Sequence, residues 1–166
     1  MAADRATVSV SASLLPDEIK TSIGGTTIYD IDDIGNNNNW FYSLTLIGTS
    51  SEDLIKDAIN FVPGGLAGQG AHPVDIDVDD LGFLFVKHTG TIDGVVVSTN
   101  SLCINLSNGT PNGTSVGDII IKPNECFFAR LGHTRVDNIN GISLNEDASG
   151  NNIQVQVLGI ADNGGV

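Results

Sequence analysis

VDIDVDDLGFLFVKHTGTIDGVVVSTNSLCINL, residues 74–106, is the densest β signal in the chain. It opens in strict alternation, with Val74, Ile76 and Val78 against Asp75, Asp77 and Asp79. A period of two sets the apolar side chains on one face of a sheet and the carboxylates on the other. Phe83-Leu84-Phe85-Val86 is apolar on both faces, which suits a strand covered on both sides. Val95-Val96-Val97 and Leu102-Cys103-Ile104 follow after turn residues and read as further strands. Asp93-Gly94, just before the Val run, is the preferred hairpin turn, ahead of Thr89-Gly90. No helical period fits this stretch.

The same rhythm extends in both directions. Val8, Val10, Ala12 and Leu14 alternate with Thr7, Ser9, Ser11 and Ser13, a strand with a hydroxyl-rich face. Gly24-Gly25 reads as a turn, Thr26 to Tyr29 as a strand, and the Asn-rich residues 35–39 as an exposed loop. In the strand at 40–47, Trp40, Tyr42, Leu44 and Leu46 share one face. Residues 50–61 form the one expected helix: Ser50 and Asp53 have capping-box spacing, and Leu54, Ile55, Ala58, Ile59 and Val62 fall on one side before Pro63-Gly64-Gly65. Downstream, strands at 119–121 and 126–131 flank the turn 122–125, and residues 107–116 form a loop. Residues 138–152 read as polar and Gly-rich, and 153–160 as the closing strand. The expectation is an all-β, jelly-roll-like antiparallel β-sandwich with one short helix. Residues 1–14 would be an N-terminal arm or edge strand and 15–166 a single β-sandwich domain.

With 166 residues and 40% hydrophobic composition, the chain can bury a core, and with 5% aromatics that core must be aliphatic and β-branched. A net charge of -13 repels phosphate backbones and anionic headgroups, so no nucleic-acid and no membrane partner is expected. Met1-Ala2-Ala3-Asp4 has no signal-peptide character, and no apolar run approaches about 18 residues. Cys103 and Cys126 both sit in apolar runs and are expected as buried free thiols, with an inter-strand bridge as the alternative.

The candidate chemistry is sparse. His72, His88 and His133 have no partner at metal-ligand spacing, and a structural or surface role is expected for each. Asp75, Asp77 and Asp79, with Asp80, could hold Ca²⁺ on one strand face. The EF-hand pattern fails, because Asp80 stands at the Gly position, and the expected role is a solvated face that discourages wrong pairing. Asp30, Asp32 and Asp33 repeat the theme without the aromatic cleft of a glycosidase. No Gly-x-Ser-x-Gly or phosphate-loop ending occurs, and the sequons at Asn105, Asn108 and Asn112 read as turn residues. No catalytic, cofactor-binding or metal-binding residue is assigned, and the chain is not expected to be an enzyme.

The second half joins a Val-rich stretch at 94–98, the tip 105–116, Gly117-Asp118-Ile119-Ile120-Ile121-Lys122-Pro123-Asn124-Glu125, the run 126–131 and a closing strand ending in Gly159-Ile160. Over residues 74–160 this resembles the small β-sandwich structural proteins of tailed bacteriophages, in particular capsid decoration (cement) proteins. The resemblance implies a non-enzymatic virion protein on the capsid surface, produced in the host cytoplasm. Its partners would be the major capsid protein and itself, as a homotrimer whose residues 1–14 reach a neighbour. The alternatives are a tail- or fibre-associated structural protein, or a carbohydrate- or calcium-binding β-sandwich module. The trimer contacts are expected from sheet faces such as Ser9, Ser11 and Ser13, or Gln154 and Gln156.

Overall fold

Val-, Ile-, Thr- and Phe-rich segments pair into antiparallel ladders throughout the computed structural model, which describes residues 5–14, 21–30, 38–55, 59–61, 80–114, 118–144 and 152–162. The chain divides into two units, Met1–Asn36 and Asn37–Val166. The division expected at residue 14 thus falls inside the first unit.

In that first unit, β1 (Arg5–Leu14) and β2 (Thr21–Asp30) form an antiparallel pair running from Arg5↔Asp30 to Leu14↔Thr21. Gly24-Gly25 is not a turn. It lies within β2, opposite Ser11 and Val10, where the residues without side chains leave the ladder unobstructed. Ser9 and Ser11 are exposed, and the Ser9 hydroxyl lies 3.3 Å from the Thr26 hydroxyl across the pair.

The second unit is an antiparallel sandwich. Its five-stranded sheet has the order β5-β3-β11-β6-β9, made of β3 (Asn38–Ile47), β5 (Ile59–Phe61), β6 (Asp80–His88), β9 (Cys126–Arg135) and β11 (Ile153–Asp162). The four-stranded sheet has the order β4-β10-β7-β8, made of β4 (Glu52–Asp53), β7 (Ser101–Asn105), β8 (Ile119–Ile121) and β10 (Asn140–Leu144). Phe41, Ile47, Leu84, Val86, Val155 and Val157 from the first sheet share one core cluster with Leu102, Ile104 and Ile121 from the second. The all-β antiparallel expectation therefore holds, while these strand orders do not confirm jelly-roll wiring.

Three further expectations about secondary structure differ from the fold. The helix at 50–61 is absent: β4 and β5 occupy its two ends, and residues 56–58 lie outside the described residues. Leu54 and Ile55 are buried as expected, but the Leu54 N–H donates to the Ile139 carbonyl at 2.9 Å, and Asp53 pairs with Asn140. An isolated helix of twelve residues or so is marginal, and here sheet pairing with β10 and β3 takes the backbone instead.

Residues 138–152 are not uniformly a polar loop, because they contain β10. That strand buries Gly141 and Ser143 and turns Ile142 and Leu144 to its other side, so its apolar residues do not mark its core face. Gly141 allows the Leu54, Ile47 and Leu102 side chains to approach within 3.2–3.6 Å of where a Cβ would stand.

The third correction is Val95-Val96-Val97, which is an exposed loop and not a strand.

Candidate interaction surface

The middle of strand β3 turns hydroxyls to the core and leucines to solvent. Phe41, Ser43, Thr45 and Ile47 face the core, while Tyr42, Leu44 and Leu46 face solvent and are 40%, 54% and 43% exposed. A strand in a sandwich ordinarily points its larger apolar residues inward. Here two hydroxyls, Ser43 and Thr45, take core positions and two leucines take the outside.

The register carries that outer face across the sheet. Leu46, Leu44 and Tyr42 lie opposite Gln154, Gln156 and Leu158 of β11, and Gln156 Nε2 donates to Tyr42 Oη at 3.4 Å. Leu158 and Gln156 lie opposite Phe85 and Lys87 of β6, which in turn face Phe128 and Cys126 of β9. The result is a continuous outer surface of leucine, tyrosine, glutamine and phenylalanine, with Lys87 and Cys126 exposed toward one edge.

The loop after β6 extends this surface. Val95, Val96 and Val97 are 83%, 50% and 78% exposed. Their exposure follows from the hydrogen bonding of the loop itself. Asp93 Oδ1 accepts from the Val95 and Val96 N–H groups at 2.9 and 2.7 Å, so those amides are not offered to a ladder. The Ile92 N–H donates to the Val96 carbonyl at 2.9 Å, and Thr91 bridges Val97. Gly94 has a φ of +92°, a left-handed value that suits glycine. The expected turn at Asp93-Gly94 is therefore present, as a three-residue tip and not a two-residue hairpin. An added Cβ at Gly94 would stand 3.4 Å from the Gln154 side chain. The tip thus lies against the outer face, beside Gln154 and one strand from Leu46.

The loop is anchored from below by His88, whose side chain is buried. Nδ1 of His88 accepts from the Gly90 N–H at 2.9 Å, which leaves the ring proton on Nε2 to donate to the Asn100 carbonyl at 3.0 Å. Burial pushes the imidazole pKa below its ordinary value, and the bond to Asn100 opposes that only in part. Thr89 Oγ1 donates to the Gln154 carbonyl at 3.0 Å, and the Ser98 N–H donates to the Gly90 carbonyl at 2.9 Å. Asp93, held by two backbone N–H donors, titrates below the ordinary carboxylate range.

The other sequence candidates fall elsewhere. His72, Asp75, Asp77 and Asp79, with Asp32 and Asp33, lie outside the described residues. Asp80 begins β6 opposite Arg135, and Asp30 ends β2 opposite Arg5. Position 133 lies within β9, well along the chain from His88. Among the described residues no three His, Cys, Asp or Glu side chains converge as a metal site. A hollow of about 430 Å³ at the end of β3 is lined by Leu46, Gly48, Thr49, Ser50, Glu52 and Asn152. Its one carboxylate, Glu52, accepts the Gly48 N–H.

Cys103 is a buried free thiol, as expected, and burial pushes its pKa up to about 11. Cys126 is free but exposed, which corrects the expectation of burial. The sequon residues act as turn formers. Asn105 Oδ1 accepts from the Ser107 and Gly109 N–H groups, and its amide donates to Asp118 at 3.1 Å. Asn112 Oδ1 accepts from the Thr114 N–H at 2.8 Å, and Asn108 adopts a left-handed φ of 59°.

Sequence patterning does group Tyr42, Leu44 and Leu46 on one face, but it carries no signal for which face meets solvent. The Asp93 cap of the valine loop was legible only as a turn. No family model, curated protein or solved structure matches this chain.

Proposed function

We propose that this chain is a non-enzymatic virion structural protein of the capsid decoration type, a homo-oligomer that binds the major capsid protein and stabilises a phage head. The observation that carries the reading is the outward-facing Tyr42, Leu44 and Leu46 on a strand whose hydroxyls are turned inward. A rigid sheet that presents leucines to water is organised for contact, since exposed apolar patches of this kind mark interaction surfaces. The acidic surface, with a net charge of -13, discourages indiscriminate association and leaves specific faces to carry assembly. The resemblance of residues 74–160 to decoration proteins supplies the kind of partner. On a shell, many weak identical contacts repeated by symmetry sum to a large total.

The test is recovery with particles. Mass spectrometry of purified virions should find the chain, and added protein should co-sediment with empty heads. Absence from particles together with no affinity for any viral shell would overturn the reading. Imaging labelled particles separates a head location from a tail or fibre location.

A further inference from the structure

We infer that the outer face of the five-stranded sheet, together with the valine loop at residues 93–97, is covered by a second copy of this chain. The inference rests on the structural-protein reading only in treating this face as a contact surface, and it concerns the protein in solution without a shell.

Charge selects the occupant. Two copies of a chain with 20 acidic and 7 basic residues repel each other over most of their surfaces. On β3 from Tyr42 to Leu46, β11 from Gln154 to Leu158, β6 from Phe83 to Lys87 and β9 from Cys126 to Arg130, no outward position is Asp or Glu. The charged residues there are Lys87 and Arg130, both cations. The carboxylate at the tip of the neighbouring loop is Asp93, exposed and held ionised by backbone donors. A copy therefore brings an anionic loop tip to a face that presents the exposed Lys87 ammonium, and like charges stay apart. Nucleic acid and anionic membranes lack this fit, because the rest of the chain repels them.

Shape and order agree with charge. The outward patch spans about five residues, roughly 14 Å, on four neighbouring strands about 14 Å across, and the valine loop extends it. The three valines are held in place by the Asp93 cap, the Thr91–Val97 bridge and the bond from Ile92 to Val96, so little ordering cost remains to be met on association.

The experiment uses the full chain. Light scattering coupled to size exclusion at about 50 µM, well above the Kd of an ordinary oligomer, should give a mass above the 17.3 kDa of one chain. Leu44→Asp and Val96→Asp alter side chains already exposed to water. Each should yield a monomer with a melting temperature within a few degrees of wild type. Ile120→Asp, at an exposed position on the other sheet, should leave the mass unchanged.

Cys126 gives a second readout that does not depend on mass, because it is exposed on this face while Cys103 is buried. Maleimide should label it about tenfold more slowly in the wild-type oligomer than in the Leu44→Asp monomer, the loss expected when a partner covers the thiol. A wild-type monomer overturns the inference. So does an oligomer that keeps its mass in both Asp variants, or one whose Cys126 labels at the monomer rate. Shell binding by a monomer would retain the capsid-binding part of the decoration reading and remove this inference, and an oligomer that ignores shells would do the reverse.

Discussion

His88 shows how one buried ring can set the geometry of a surface loop. Its Nδ1 takes the Gly90 N–H and its Nε2–H reaches the Asn100 carbonyl, so only the neutral ring satisfies both. Protonation would point a second N–H at the Gly90 donor. The folded pKa lies below the ordinary 6.5, chiefly through burial. The unfolded chain therefore takes up a proton first as the pH falls. The contribution of His88 is fully present above about pH 6.5 and is lost as the pH drops through the lowered folded value. Urea unfolding at pH 7.5 and 5.0 should show lower stability at pH 5.0. His88→Ala, which removes the ring's bonds to two buried backbone groups and leaves a void, should cost on the order of 2–4 kcal/mol at pH 7.5 and remove this part of the pH dependence. Asp93 makes a different prediction. Asp93→Ala frees the Val95 and Val96 amides, so their hydrogen exchange should accelerate by at least about tenfold, as for locally opening surface amides. Unchanged exchange at both would show that the carboxylate does not hold the loop.

At the scale of the element, β3 and β11 show that close packing and exposure can be set on opposite faces of one ladder. Gly159 of β11 lies opposite both Phe41 and Leu84. A Cβ there would stand 2.5 Å from two atoms of the Phe41 ring and 2.8 Å from the Phe83 carbonyl. The ring is fully buried and the carbonyl belongs to a ladder, so neither can retreat cheaply. Gly159→Ala should destabilise by about 1–3 kcal/mol, and Gly159→Val by more. A thermal melt of Gly159→Ala within a degree of wild type would mean that Phe41 can repack. The opposite face of the same strands is tolerant: at Tyr42, Leu44 and Leu46, polar replacements should leave the fold intact, because these side chains contribute little to the core.

For the whole molecule, the core cluster among the described residues belongs to the unit Asn37–Val166. The unit Met1–Asn36 contributes a two-stranded pair, an arrangement that is marginal alone in water. Removal of residues 1–36 should therefore leave a folded remainder whose melting temperature changes by no more than a few degrees. Loss of the cooperative transition in the truncated chain would show that the hairpin completes the core. If the first unit also reaches a neighbour on a shell, the same truncation should weaken co-sedimentation with heads while the fold persists.

Alternation and turn chemistry in the sequence determine that this is an antiparallel all-β protein. Strands β1, β3, β6, β7, β8, β9 and β11 and the turns at residues 93–94 and 122–125 follow from local pattern, because a period of two and the preferences of Asp, Asn, Gly and Pro act over a few residues. The outcome at residues 50–61 does not. There the same apolar spacing suits a helix or two short strands, and the carbonyl of Ile139, distant in sequence, decides. The valine run and β10 diverge for related reasons. One has its amides taken by the Asp93 side chain, and the other sets a glycine and a serine against the core, where Leu54, Ile47 and Leu102 fill the space. The candidate surface was legible only as a grouping of Tyr42, Leu44 and Leu46. Periodicity sorts residues into two faces but does not say which one is covered. That depends on where the second sheet packs, and only the tertiary structure places it against Phe41 and Ile47 and leaves the leucines outside.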